Sequence, residues 1–268
     1  MFCMTAAVNV PARVSTPTGG DAGTEDQRSA LHGAAVPARY AMAPSLEGAP
    51  VIPAAAEQLR RRTFAKGEYL YDVGDEAHTA YIVESGLIAL TLGALADRQR
   101  VVALAGPGDV VGALTPGPLA HQSGALALSG EVSTRVLPAG HYYSATDTGL
   151  EDQDPEFATL LANAAGEQIQ RLTWALEDSA HPVPARVARA LLRLGQRFGH
   201  HTADGAVRLT LPVTHETLAS LVGAARETTT YTIQQLRKKG LLVGTRGHYH
   251  FEPVALERYA HEAALAAR

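Results

Sequence analysis

The chain has 268 residues and a formal net charge of −4 at pH 7, and this length is enough for two domains with separate cores. Its mean hydropathy of −0.04 predicts a soluble globular protein, and no apolar run reaches the roughly 18 residues of a membrane-spanning helix. The single cysteine, Cys3, excludes internal disulfides and cysteine-ligated metal sites. The first residues lack the basic and apolar regions typical of a secretory signal, so we expect no such signal, a cytoplasmic location and no membrane partner.

Two segments of contrasting composition open the chain. Residues 1–56 are rich in Ala, Pro, Gly, Thr and Ser, and we expect them to be disordered because they cannot bury enough apolar surface to offset their ordering entropy. Residues 57–150 contain short apolar runs separated by glycine turns, at 69–71, 80–83, 87–90 and 101–104. Strand-like runs at this spacing predict an antiparallel β-barrel or β-sandwich.

One long helix is predicted over residues 151–180. Acidic residues and Pro155 at its start suit the positive end of a helix dipole. Two adjacent stripes of apolar and small residues run along it, one with Leu160, Ala164, Leu172 and Ala175 and the other with Leu161, Ala165, Ile169 and Leu176. Such a helix suits contact with its own barrel and with a partner helix. We therefore expect a homodimer, with packing inside a single chain as the alternative.

Residues 181–268 form the predicted C-terminal domain. Pro182 and Pro184 break the long helix, and a further helix follows from about 185 to 198. Its apolar residues are predicted to face inward and its arginines outward: Val187, Ala190, Leu191 and Leu194 against Arg186, Arg189, Arg193 and Arg197. Residues 199–205 are predicted to be a loop, and residues 208–212 a short strand.

The stretch 211–240 predicts two short helices joined by a tight turn. Thr214 is a suitable N-cap, and Leu218, Leu221 and Val222 follow as an apolar stripe. Gly223 stands where a helix end needs positive φ. A second helix is predicted from 225 to 239, with Ile233 and Leu236 buried and Gly240 at its end. This pattern is typical of a helix-turn-helix.

The segment after this pair favours a DNA-binding domain. Residues 241–251 alternate in polarity around a glycine turn, which predicts a two-stranded wing with Arg246 at its tip. Residues 181–268 hold 12 Lys/Arg against 6 Asp/Glu on an acidic chain, and a basic segment of this kind suits phosphate binding. An ordinary helical hairpin packed on a β-hairpin is the alternative interpretation.

Several motifs together resemble the cyclic-AMP receptor protein (Crp/Fnr) family of bacterial transcription regulators over about residues 60–262. They are Phe64-x-Lys66-Gly67-Glu68, Gly106-Pro-Gly-Asp109, Arg186-Val-Ala-Arg-Ala-Leu-Leu192, Thr214-x-x-x-Leu218-Ala219 and Arg226-Glu227-Thr228. The resemblance implies an α+β fold with an N-terminal antiparallel β-roll, a long dimerisation helix and a C-terminal winged helix-turn-helix. It also implies a homodimer on pseudo-palindromic double-stranded DNA, with RNA polymerase as a further partner.

The first turn of the second helix is predicted to read bases. By the resemblance Arg226 contacts guanine and Glu227 cytosine, in agreement with their hydrogen-bonding chemistry, and Thr229 and Thr230 are also within reach. Residues predicted to contact the DNA backbone are Thr214, His215, Arg237, Lys238, Lys239 and Arg246. Where the family often has a serine and a second arginine, Ala225 and Tyr231 stand here, so the resemblance does not define the outer bases.

The candidate effector pocket comprises Gly112, Ala113, Gln122, Ser123 and Arg171. In cyclic-AMP-binding members a glutamate holds the ribose and an arginine the phosphate. Here Ala113 cannot accept from a ribose hydroxyl and Gln122 cannot neutralise a phosphate, a loss of about 2–5 kcal/mol. We therefore predict that cyclic AMP does not bind in the usual mode, with Arg171 as a substitute cation in the alternative.

Other chemistries find little support in the sequence. Haem would need an axial histidine, but His78, His121 and His141 are expected to be solvated loop residues, and no metal, cofactor or enzymatic site is predicted. Three hypotheses stay open: a DNA-binding regulator active without cyclic AMP, a regulator gated by a cyclic nucleotide or another effector, and a protein-interaction module.

Overall fold

The computed structural model describes residues 54–93, 100–112, 120–138, 155–245 and 247–266. The predictions for residues 1–53 and 151–154 and for Ala113, His141 and Arg246 lie outside this part of the chain. The N-terminal elements are α1 (Ala54–Glu57), β1 (Arg61–Ala65), β2 (Tyr69–Tyr71), β3 (Thr79–Ser85), β4 (Ile88–Leu92), β5 (Arg100–Ala105), β6 (Val110–Gly112), β7 (Ser123–Ala127), β8 (Glu131–Pro138) and α2 (Pro155–Ser179). The C-terminal elements are α3 (Val183–Phe198), β9 (Gly199–His201), β10 (Val207–Thr210), α4 (His215–Val222), α5 (Arg226–Lys238), β11 (Val243–Thr245), β12 (His248–Phe251) and α6 (Pro253–Leu265).

Strands β1 to β8 form the β-roll. They make two four-stranded sheets, in the orders β1-β8-β3-β6 and β2-β7-β4-β5, and every pairing recorded between them is antiparallel. The buried side chains between the sheets include Phe64, Tyr81, Val83, Ile88 and Val132. The antiparallel β-fold predicted from the spacing of apolar runs is confirmed.

Helix α2 (Pro155–Ser179) packs on the β-roll near its start and carries exposed apolar side chains farther along. One face packs on the β-roll, where Leu161 and Ala164 join Ile82 and Leu137 in a buried cluster. Ala56 belongs to the same cluster, so the folded part already includes the last residues of the segment predicted to be disordered. Farther along the helix, three large apolar side chains are highly exposed, Ile169 at 67%, Leu172 at 57% and Leu176 at 74%.

Elements α3 to α6 with strands β9 to β12 form the winged domain. Its sheet has the order β11-β12-β10-β9, so residues 199–201 are a strand and not part of a loop as predicted. The core is made by side chains that are almost fully buried, Leu191, Leu218, Ile233, Leu236, Leu242 and Phe251. The alternation predicted for residues 241–251 is wrong at its start, because Leu242 is buried while Val243, the first residue of β11, is 61% exposed.

The winged domain docks against the β-roll and α2. Leu87 and Leu104 of the roll share one apolar cluster with Leu191 and Leu218. The amide of Val101 donates to the Ser220 hydroxyl at 2.7 Å, which ties the edge strand β5 to α4. This contact positions the helix-turn-helix with respect to the rest of the chain.

The arginines of α3 lie at this junction, and the prediction that they face outward is wrong. Arg189 Nε donates to Asp178 Oδ1 at 2.6 Å, Arg193 is bound to the same carboxylate, and Arg197 is bound to Asp109. Their side chains are only 12–21% exposed. Periodicity assigned them to solvent because it cannot show that α2 and the roll present carboxylates to this face.

Candidate nucleic-acid interface

Helices α4 and α5 form the predicted helix-turn-helix, and their ends match the sequence signals. The Thr214 hydroxyl accepts from the amide of Thr217 at 3.1 Å and caps α4. Gly223 ends α4 with a φ of 62°, a left-handed conformation that glycine adopts without the steric penalty of a side chain. Both signals are confirmed, and together they set the turn that leads into α5.

Helix α5 turns one face to the core and the other to solvent. Thr229, Thr232, Ile233 and Leu236 are buried, whereas Arg226 and Glu227 in the first turn are exposed. The exposed face continues through Tyr231, 61% accessible, to Gln234. An exposed polar face of this kind on the second helix of the pair is the surface that enters a major groove in helix-turn-helix proteins.

The structure separates the four predicted base-reading residues into two groups. Arg226 and Glu227 lie side by side on the exposed first turn. Thr229 is 0% exposed, so the prediction that it contacts bases is wrong: one position in every turn of α5 must face the core. Thr230 is half-buried, and its hydroxyl lies 3.2 Å from His215 Nδ1.

His215 holds Thr230 in place rather than offering a free ring to a phosphate. Its Nδ1 is engaged by the Thr230 hydroxyl, and its Nε2 is buried without a hydrogen-bond partner among the described residues. Burial, followed by the charges of Arg226 and Arg237, lowers the pKa of the imidazole. A neutral ring with its Nδ1 engaged and its Nε2 buried is poorly suited to the backbone contact predicted for it.

The other predicted backbone contacts lie at the helix ends. Arg237, Lys238 and Lys239 are exposed at the C-terminal end of α5, and Lys239 Nζ lies 5.3 Å from the centroid of the Tyr259 ring. Thr214 is exposed, although its hydroxyl already caps α4. The cationic side chains of Arg237, Lys238 and Lys239 can position a duplex without reading its sequence.

Two exposed residues of α5 were missed as candidates from the sequence. Tyr231 and Gln234 lie four and seven residues after Glu227 and therefore share its face of the helix. Gln is a bidentate partner for adenine. The spacing from Glu227 was a usable signal, but it became decisive only once the buried face of α5 was known.

The predicted effector pocket is described at four of its five residues. Tyr71 stacks on His121 with ring centroids 3.8 Å apart, and both residues are buried. The expectation that His121 is solvated is wrong, because its ring is buried against Tyr71 of β2. Burial raises the pKa of Tyr71 and lowers that of His121, so both rings stay neutral near pH 7.

The polar groups of this pocket are engaged or directed elsewhere. Gln122 is exposed, and its amide donates to the Ala120 carbonyl at 3.2 Å. Ser123 and Gly112 are half-buried near Tyr71. Arg171 donates to Asp109 at 3.1 Å and to Glu167 at 2.8 Å, so its guanidinium is already paired with two carboxylates.

Metal-binding clusters and membrane-spanning helices are both absent from the described residues. No group of three or more His, Cys, Asp or Glu side chains could hold a metal ion in this part of the chain. No helix in the described ranges is long and apolar enough to cross a membrane.

Comparison with known proteins identifies both halves of the chain. Residues 61–142 match the cyclic nucleotide-binding domain, and residues 185–259 match the Crp-like helix-turn-helix domain. A CRP-like cAMP-activated global transcriptional regulator of Mycobacterium tuberculosis is 31% identical over 193 residues, covering 70% of this chain and 82% of that protein. The cyclic AMP receptor protein of Thermus thermophilus is 28% identical over 188 residues, with 70% and 82% covered.

Solved structures agree on the fold. FixK2 from Bradyrhizobium japonicum superposes with a TM-score of 0.63 at 20% identity, over 76% of this chain and 96% of that one. A regulator of the CRP/FNR family from Thermus thermophilus gives a TM-score of 0.58 at 25% identity, over 76% and 100%. The chain therefore belongs to the Crp/Fnr family of DNA-binding transcription regulators.

Proposed function

We propose that the protein binds a pseudo-palindromic DNA site as a homodimer and does so without cyclic AMP. The observation that carries the DNA part is the exposed pair of Arg226 and Glu227 at the start of α5. Two such helices related by a two-fold axis would enter successive major grooves about one helical turn apart. Bound in this way, the protein would act on transcription through RNA polymerase.

Base reading is assigned to the exposed face of α5. Arg226 is a bidentate donor to guanine, and Glu227 accepts from cytosine N4. Tyr231 and Gln234, on the same face, would reach the outer bases of each half-site. Arg237, Lys238 and Lys239 would contact phosphates, and the half-buried His215 would keep Thr230 oriented.

The exposed stripe on α2 supports the homodimer. Ile169, Leu172 and Leu176 are spaced three and four residues apart and are each more than half exposed. Three large apolar side chains on one helix face indicate an interaction surface, and a second copy of α2 can cover them by the same packing. The pairing would place two winged domains on one side of a duplex.

Independence from cyclic AMP is supported by the side chains of the β-roll pocket. Tyr71 and His121 are stacked there, and Arg171 is neutralised by Asp109 and Glu167. A bound phosphate would have to take Arg171 away from both carboxylates. Gln122 carries no charge with which to replace it.

A regulator gated by cyclic AMP is the second candidate. It is favoured by the name of the Mycobacterium tuberculosis relative, which describes that protein as cAMP-activated. In this alternative Arg171, which lies near enough to Tyr71 to influence its pKa, leaves Asp109 and binds the nucleotide phosphate. The two candidates differ in whether the nucleotide changes DNA affinity.

The test is binding of the full-length protein to a labelled pseudo-palindromic duplex, followed by fluorescence anisotropy at one stated salt concentration, with and without cyclic AMP. We expect sequence-selective binding in both conditions. Arg226→Ala should lose about 1–3 kcal/mol of binding free energy on the preferred site and relax the base preference at one position. Arg62→Ala, which removes an exposed arginine of β1 in the roll, is the matched control.

Each outcome separates the candidates. Selective binding that depends on cyclic AMP supports the second candidate. Equal affinity and base preference in Arg226→Ala and in the unmodified protein contradict the docking of α5 in the groove.

A further inference from the structure

A cavity of about 100 Å³ lies where the β-roll, α2 and the winged domain meet. Strand β5 contributes Val102 and Leu104, α2 contributes Trp174, and α4 contributes Leu221 and Val222. Of the predicted effector-pocket residues that the structure describes, only Arg171 lines this cavity. It is therefore a second concave site, at a boundary between domains where small ligands commonly bind.

The walls of the cavity carry an excess of positive charge. The arginines that line it are Arg100, Arg171, Arg186, Arg193 and Arg197, and the acids are Glu167 and Asp178. Arg171 and Arg197 are paired with the neighbouring Asp109, and Arg193 is paired with Asp178. The local acids are therefore used by three of the five guanidinium groups.

The other two arginines, Arg100 and Arg186, lack a carboxylate partner within the described ranges. Arg186 Nη1 donates to the Gly223 carbonyl at 3.3 Å, but its Nε is buried with no hydrogen-bond partner in this part of the chain. Arg100 Nη2 lies 2.6 Å from the point where a Cβ at position 223 would stand. Both guanidiniums therefore lie close to Gly223. A buried donor without an acceptor, such as Arg186 Nε, is uncommon in native structures.

The remaining walls are apolar. Leu104, Leu194 and Leu221 line them together with the Trp174 indole, above which the Arg193 guanidinium lies 5.7 Å from the ring centroid. An inorganic anion would leave this apolar surface uncovered. Since a dry cavity of about 150 Å³ accepts benzene, the smaller volume here suits a short aliphatic body.

We propose that this cavity binds a small aliphatic carboxylate. The ligand's carboxylate accepts hydrogen bonds from Arg186 and Arg100, since a planar guanidinium is a bidentate partner for a carboxylate. The ligand's carbon chain lies against Trp174 and Leu221. Such a ligand contacts α2 and the winged domain together and so stabilises their docking. The site needs only the fold, and its existence does not depend on DNA binding.

The sequence provides an internal probe, because Trp174 is the only tryptophan of the chain. The full-length protein is titrated with sodium valerate while tryptophan emission is recorded, with 1-pentanol and inorganic phosphate as comparison ligands. We expect a saturable change with valerate and weaker binding of both comparison ligands. Arg186→Met should weaken valerate by about 10- to 100-fold, the loss of a charged hydrogen-bonding partner, whereas Arg258→Met, on the exposed side of α6, should leave it unchanged.

Three results overturn the proposal. The first is the absence of a saturable emission change with valerate. The second is binding of pentanol or phosphate as tight as that of valerate. The third is an unchanged valerate affinity in Arg186→Met. If circular dichroism shows that Arg186→Met does not fold, Arg100→Met tests the second guanidinium in the same titration. A normal titration in that variant also overturns the assignment of the carboxylate to this pair.

Discussion

Asp109 connects three parts of the chain, and its conversion to asparagine should loosen all of them. Its side chain is 1% exposed and pairs with Arg171 at 3.1 Å and with Arg197, while it also accepts from the Gly106 amide at 2.7 Å. Asp109→Asn keeps the shape and one acceptor oxygen but removes the charge. Two guanidiniums that are 17% and 21% exposed are then left with Glu167 alone.

Breaking a buried ion pair by removing one partner costs about 3–5 kcal/mol. Glu167 stays within 2.8 Å of Arg171 and 3.6 Å of Arg197, so we expect the lower end, about 3 kcal/mol. For a chain of this size each kcal/mol lowers Tm by about 2–4 °C, which gives a loss of about 6–12 °C in thermal unfolding followed by circular dichroism.

The matched control is Asp204→Asn, which makes the same chemical change at an exposed carboxylate in the turn before β10. We expect little change in its Tm. If Asp109→Asn lowers Tm no more than the control does, Asp109 does not hold the junction together. The ion pairs would then not be the reason why the domains dock.

Three other changes have defined outcomes. The hydrogen bond from Arg61 is the main cause that lowers the pKa of Glu84 from 4.5 to about 2. This folded-state pKa is below the unfolded value. The ionised carboxylate therefore stabilises the fold above about pH 5, and this contribution is lost towards pH 2. Glu84→Gln should therefore lower the free energy of unfolding at pH 7, and this deficit, measured by urea titration, should shrink at pH 3. Thr229→Val removes a buried hydroxyl that has no hydrogen-bond partner among the described residues. It should leave DNA affinity unchanged and stability unchanged or raised by about 1 kcal/mol; a weaker complex would restore Thr229 as a base contact. Leu176→Glu should yield monomers in analytical ultracentrifugation, whereas Leu265→Glu, at another exposed leucine, should not.

Local signals in the sequence were sufficient where the cause of the structure is local. The Thr214 cap and the positive φ of Gly223 depend on a few neighbouring residues, and both were predicted. The antiparallel strands followed from apolar runs and turn glycines. Each of these features is determined by backbone chemistry within a short segment.

The errors occurred where a distant part of the chain decides the outcome. Arg193 has an outward-facing pattern on α3, but Asp178 of α2 covers it. The sequence predicts a solvated loop position for His121, but its ring is buried and stacks on Tyr71. Thr229 lies in the first turn of a helix predicted to read DNA, but its side of α5 is buried in the core. Periodicity predicts that a helix or strand has an apolar and a polar face. It does not predict which other element packs against either face.

The ion pairs across the junction also change the meaning of the basic C-terminal segment. Of its 12 Lys/Arg residues, Arg189, Arg193 and Arg197 are neutralised by carboxylates of α2 and the roll. A fragment cut at residue 181 would lose those carboxylates and acquire a bare cationic flank absent from the full-length chain. It would adhere to any nucleic acid with a steeper salt dependence, and binding constants measured on it would overstate the affinity of the whole regulator for DNA of arbitrary sequence.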